Sequence, residues 1–150
     1  MPQSLSKIYL HLIFSTKNRM PMLIGSVREP LHRYTATVLE SLGCHAILIN
    51  SVEDHVHILF ELARTVAVSA VVEEVKTATS KWLKTQPSIR PEFSWQSGYG
   101  VFSVGGSNLA AVRKYIANQE EHHRRHSFQD EMRALLDKFG ISYDERYLWD

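Results

Sequence analysis

Residues 6–15, SKIYLHLIFS, place aliphatic, aromatic and β-branched side chains on both sides of an extended chain, which predicts a strand covered on two faces. After a polar loop at 16–19, Leu31, Tyr34, Val38, Leu39 and Leu42 recur at helical spacing. Ser26 and Glu29 have capping-box spacing and Pro30 suits a first turn, so the helix is expected to begin between Ser26 and Pro30 and to stop at Gly43. Apolar runs at 44–51 and 55–62, separated by SVED at 51–54, predict a β-hairpin. A second helix is expected over Val68 to Leu83, with Val68, Val71, Val72, Val75 and Trp82 inward. A proline-bearing loop at 86–92 leads to a last strand, WQSGYGVFSV, at 95–104. Gly105 and Gly106 break that strand, and Ser107 can cap a third helix running to about His126. Ser127 can cap a fourth, with Phe128, Met132, Leu135, Leu136 and Phe139 inward and Gly140 at its end.

The order β-α-β-β-α-β followed by helices predicts an α+β fold of the ferredoxin-like, split β-α-β kind: a mainly antiparallel sheet with helices on one face, plus C-terminal helices. The other sheet face is then expected to stay free for a ligand. A length of 150 residues with no internal repeat or linker suits one domain spanning 1–150. A single cysteine, Cys44, excludes an internal disulfide and fits a reducing compartment. The apolar stretch near the N-terminus is too short to span a bilayer and lacks a small-residue cleavage site, so a cytoplasmic protein without membrane contact is expected. The net charge of +1 gives no strong sign of a nucleic-acid partner. The first fifty residues lean basic, with Lys7, Lys17, Arg19, Arg28 and Arg33 against Glu29 and Glu40.

Two constellations carry candidate chemistry. In His55-Val56-His57 both imidazoles point to one face of a strand, with Cα atoms about 6.8 Å apart, close enough to meet at one metal ion. Alone, such a pair is more often two half-buried structural histidines. In YIANQ, Tyr115 and Gln119 stand four residues apart and share a helix face. A phenol is a poor nucleophile at neutral pH and becomes useful beside a metal-bound phosphate; alone, this pair is more often a core tyrosine with a solvated glutamine.

Together, and in this order, the two motifs resemble the HUH transposases (histidine, hydrophobic residue, histidine) with a single catalytic tyrosine, found in bacterial and archaeal insertion sequences and including REP-associated relatives. The resemblance extends over HLIFSTKNR at 11–19, WQSGYGVFSVG at 95–105, YIANQEEHH at 115–123 and ISYDERYLW at 141–149. It implies that His55, His57 and Gln119 bind Mg²⁺ or Mn²⁺. It further implies that Tyr115 attacks single-stranded DNA, becomes joined to the 5′ phosphate and leaves a 3′ hydroxyl free to rejoin strands. It implies DNA partners with hairpin-bearing element ends, and a homodimer in which the tyrosine helix can complete a partner's site. Imidazole ligands suit Mn²⁺ better than Mg²⁺, and no general base for Tyr115 is evident.

Weaker candidates surround this set. Lys17 and Arg19, and Lys76 with Lys81 and Lys84, could follow a DNA backbone, although a solvated face explains the latter group equally well. His122 and His123, with Arg124, Arg125 and His126, fit either phosphate contact or a cationic helix terminus. His11 is as readily structural as functional, and Trp82, Trp95 and Trp149 read as core or interface. Three other readings compete. A non-catalytic nucleic-acid module would use Tyr99 and Phe102 in GYGVFSV, but that segment lacks the basic start of an RNA-recognition strand. A metallohydrolase would need more ligands than the pair supplies. A domesticated nuclease acting on host repeats would share every catalytic residue.

Overall fold

In the computed structural model, which describes residues 2–150, a four-stranded sheet has the order β2-β3-β1-β4, every neighbouring pair antiparallel. The chain runs β1 (Tyr9–Ser15), α1 (Gly25–Ser41), β2 (His45–Ser51), β3 (His55–Glu61), α2 (Val68–Lys84), β4 (Gly100–Val104), α3 (Leu109–Ala117), α4 (Gln119–Arg125), α5 (Phe128–Lys138) and α6 (Glu145–Leu148). This is the expected split β-α-β architecture of an α+β protein. Among the described residues, no helix is long and apolar enough to cross a membrane.

One face of the sheet carries the main core. Leu10, Leu12 and Phe14 of β1 and Val56, Ile58 and Phe60 of β3 point to α1 and α2, meeting Val27, Leu31, Leu39, Val71, Val75 and Leu83. The opposite face is not free, as expected from the strand pattern, but covered by the C-terminal helices. Phe128, Met132 and Leu136 of α5 pack on Ile13 and Phe102 in a smaller second cluster. The approach is close: a Cβ on Gly100 would lie 2.9 Å from the Met132 sulfur, so a larger residue there would have to displace the Met132 thioether. Burial on both sides explains why β3 is buried from His55 to Phe60.

Several boundaries differ from expectation. Helix α1 starts at Gly25 with no side-chain cap, so Ser26 and Glu29 form no capping box and Pro30 lies in the second turn. Its entry is set by tertiary contacts instead: Leu23 is fully buried, its N–H donates to the Glu53 carbonyl and its own carbonyl accepts from Arg28 Nε. The last strand is five residues, Gly100–Val104, because carbonyls 96–98 turn to the Lys76 ammonium at 2.8, 3.2 and 2.7 Å. Trp95 keeps only an isolated bridge to Thr16. Ser107 falls in a short 3-10 turn and caps nothing, whereas Ser127 caps α5 by accepting from Asp130 N at 3.1 Å.

The expected third helix is two helices. Asn118, at φ −95 and ψ 19, separates α3 from α4. The cause is Asn50 on β2, whose amide donates to the carbonyls of Ile116 (2.8 Å) and Ala117 (3.4 Å), the groups an unbroken helix would offer to residues 120 and 121. Phe139, expected inward, is 39% exposed; the chain turns after it at Gly140, whose φ of +67 favours glycine.

Candidate metal and nucleophile site

The site lies on the face covered by α3, α4 and α5. Alternation along β3 sends Val56 and Ile58 into the main core and His55 and His57 to the opposite side, where both are buried. Across the ladders His57 pairs with Ile13 on β1 and Asn50 on β2. Asn50 thus anchors the end of α3 next to His57, which brings Tyr115 and Gln119 over the histidine pair.

Each imidazole is held by its Nδ1. His55 Nδ1 lies 2.6 Å from Asp54 Oδ1, and His57 Nδ1 lies 2.7 Å from His11 Nε2. Such partners orient a ligand histidine and fix its tautomer. Both Nε2 atoms then face the same point, occupied by a residue the sequence reading overlooked. Glu131 of α5, 4% exposed, sets Oε1 3.0 Å from His57 Nε2 and 3.1 Å from His55 Nε2. Its Oε2 accepts from the Tyr115 hydroxyl and from Gln119 Nε2 at 3.0 Å, and lies 3.3 Å from His122 Nε2.

Charge follows this geometry. Burial alone would raise the Glu131 carboxyl, but the close His55 and His57 imidazoles outweigh it and hold the group far below the usual carboxylate range. Burial would lower His55, and its bond to Asp54 with the nearby Glu131 charge overcomes this to lift it to about 9. Burial dominates at His57, which is lowered, and at His11, lowered to about 3 with help from His57. Burial and the adjacent Glu131 charge push the Tyr115 hydroxyl well above a normal phenol, so it stands here as a neutral donor.

These residues fit a divalent cation. His55 Nε2, despite its distance to Glu131, is too far off line for a hydrogen bond, and Gln119 Oε1 likewise has no partner; both are buried. Ligand atoms of His55, His57 and Glu131 all lie within 4.8 Å of one another. An ion held there would give the orphaned His55 nitrogen a partner. The carboxylate also supplies the hard oxygen that imidazoles lack for Mg²⁺ or Mn²⁺.

The remaining sequence candidates lie at different distances from this centre. His122 touches Glu131 and packs edge-on to Tyr115, with ring centroids 5.3 Å apart. His123 binds Glu53 at 2.8 Å and lies 5.4 Å, ring to ring, from His55. Lys17 and Arg19 follow the end of β1, where Ser15 pairs with His55. Lys76 is on α2, against the opposite sheet face, with its ammonium donating to three carbonyls. An open cavity of about 720 Å³ leads to Tyr115 and Glu131 between Phe102, Val112, Leu135 and Phe139. A signal for Glu131 existed: it stands three residues after Phe128 and next to Met132, a carboxylate on the inward stripe of an amphipathic helix. Asp54 directly precedes the histidine pair, and only the fold reveals its bond to His55.

Residues 4–119 match the family described as Transposase IS200 like. Over 116 residues the chain is 25% identical to the ISDra2 transposase TnpA of Deinococcus radiodurans, covering 74% of this chain and 83% of that protein. It is 27% identical over 116 residues to the transposase for insertion sequence element IS200 of Salmonella typhimurium, covering 74% and 76%. In fold it is similar to a crystal structure of a Deinococcus radiodurans protein described as a transposase, with TM-score 0.61, 23% identity, and 79% and 98% of the two chains covered. A REP-associated tyrosine transposase bound to a REP hairpin gives TM-score 0.61 at 14% identity, covering 82% and 73%. Glu131 lies beyond the segment matched to the family.

Proposed function

Because this chain belongs to the IS200-like transposase family, we propose that it cleaves and rejoins single-stranded DNA with Tyr115 as nucleophile and Mg²⁺ or Mn²⁺ held by His55, His57 and Gln119. The observation that carries this reading is the convergence of the Tyr115 hydroxyl, both imidazole Nε2 atoms and the Gln119 amide on the two oxygens of one carboxylate, Glu131. In the proposed step the Tyr115 oxygen forms a bond to the scissile phosphorus and the bond to the 3′ oxygen breaks. The phenolic proton leaves the tyrosine and the 3′ oxygen ends as a hydroxyl. The tyrosine then holds the 5′ phosphate, and reversal with a different 3′ hydroxyl joins strands without a nucleoside triphosphate. A bound ion supplies Lewis-acid polarisation of the phosphate. Asp54 and His11 orient the two imidazoles, and Gln119 is held over them by the helix that starts at its own position.

The DNA is proposed to reach Tyr115 through the open cavity, with Lys17, Arg19, His122 and His123 contacting phosphates around the site. Lys76 is the least suited of the candidates, since its donors are already engaged. Hairpin-bearing DNA is the proposed substrate class, and the hairpin held by the structurally similar REP-associated transposase supports it. A homodimer remains part of the proposal, although the site here is assembled within one chain.

The test is incubation with labelled single-stranded DNA from the gene's flanks and Mg²⁺ or Mn²⁺. A covalent adduct that survives denaturation and vanishes in Tyr115→Phe is expected; an adduct that persists in that variant would move the nucleophile elsewhere.

A further inference from the structure

The position of Glu131 carries more than a supporting hydrogen bond. A carboxylate this deeply buried needs a cationic partner. The imidazoles meet that need imperfectly, since His55 Nε2 is misaligned with it and Gln119 Oε1 is left unpartnered beside it. For an ion with bonds of about 2.1 Å set at right angles, adjacent ligand atoms lie about 3.0 Å apart. The Glu131 Oε1 distances to the two Nε2 atoms are 3.0 and 3.1 Å. Gln119 Nε2 donates to Glu131 Oε2, and its buried Oε1 has no hydrogen-bond partner.

Resting on the reading that His55 and His57 hold a divalent ion, we propose that Glu131 is the anionic ligand of that ion, so that ion binding and the docking of α5 are one coupled event. His55, His57 and Glu131 would hold the ion, with the Gln119 side chain hydrogen-bonded to the same carboxylate. The coupling follows from where the ligand resides. Helix α5 is held to the sheet by a small cluster, Ile13, Phe102, Phe128, Met132 and Leu136, far smaller than the core on the other face. An ion that binds only when Glu131 is in place stabilises the docked helix by mass action. The segment beyond the family match thus becomes part of the metal centre.

The experiment uses the full chain with Mn²⁺ as the only added ligand. Calorimetry reads affinity, and backbone hydrogen exchange over 128–138 reads docking of α5. Wild type is expected to bind Mn²⁺ and to slow exchange in α5 when it does. Glu131→Gln keeps the shape and removes the charge; it is expected to bind Mn²⁺ at least about tenfold more weakly and to lose the protection of α5. Glu131→Asp is expected to fall between them, and gives the readout should the glutamine variant fail to fold. Wild-type affinity or tighter binding in Glu131→Gln overturns the proposal, since the carboxylate would then compete with the ion. Loss of Mn²⁺ binding in His57→Ala, alongside an unaffected Glu131→Gln, leaves the metal site standing and removes only Glu131 from it. Absence of Mn²⁺ binding by wild type overturns both.

Discussion

The two faces of the sheet are built from the same strands yet obey opposite rules. Towards α1 and α2, β1 and β3 present only apolar side chains, and the core there is large. Towards α3, α4 and α5 the same strands present His11, His55 and His57, which meet Glu131, Gln119 and Tyr115. The first face supplies the stability that the second expends on buried polar groups. A strand can therefore carry chemistry on one side because its other side anchors it.

Predictions that test this division run from large effects to small. Tyr115→Phe removes one hydroxyl from the chemical face, and strand cleavage is expected to fall below detection. Loss of a nucleophile is worth up to about 10⁶-fold, so cleavage should vanish while the fold is retained, which gel assay and circular dichroism together would check. Phe60→Ala strikes the opposite face, where the side chain is 1% exposed. It should cost about 3–5 kcal/mol in urea denaturation, with any surviving folded protein still binding Mn²⁺. If this variant lost metal affinity while folded, the faces would not be separable.

His57→Ala should weaken Mn²⁺ binding by more than the roughly 10–100-fold typical of losing an outer partner, and activity should fall with it, as calorimetry and cleavage assays would report. Removing metal with a chelator exposes the titrations of the polar face. His11 is lowered to about 3 from 6.5, so the unfolded chain takes up a proton that the fold refuses, and stability is lost as pH falls from 6.5 towards 3. Glu131, held below its ordinary 4.5, adds to the acid loss below that pH. His55 is raised to about 9, so its contribution is complete below 6.5 and is lost as pH rises to 9. Metal-free protein should therefore be most stable near pH 6.5, with slopes up to about 1.4 kcal/mol per pH unit for each group. Urea midpoints rising steadily from pH 5 to pH 9 would contradict this. Gln119→Ala should be mildest, a few-fold loss of Mn²⁺ affinity, because water can replace a neutral oxygen ligand.

The apolar face was the legible one. Helical spacing in α1 and α2 and alternation in β3 are local patterns, and they locate the main core directly. The site was legible only where its residues are close in sequence, as His55 with His57 and Tyr115 with Gln119. Glu131 joins them from α5 through tertiary packing, which no local spacing encodes. The break at Asn118 was hidden for the same reason: its cause is Asn50, a residue on another strand. The β-α-β-β-α-β order places two helices on one sheet face and by itself assigns nothing to the other. The strand patterns could not show that the apolar stripe of α5 covers the site.

The pleat of β3 has a consequence for how variation in this protein would sort. In a scan of every substitution scored separately for cellular abundance and for activity, the strand should be intolerant throughout, as its burial from His55 to Phe60 requires. The two scores should nevertheless alternate with a period of two. Changes at Val56, Ile58 and Phe60 would lower abundance, and activity only through it. Changes at His55 and His57 would remove activity from protein that still accumulates. One short stretch of sequence would thus carry two interleaved phenotypes, separable by residue parity.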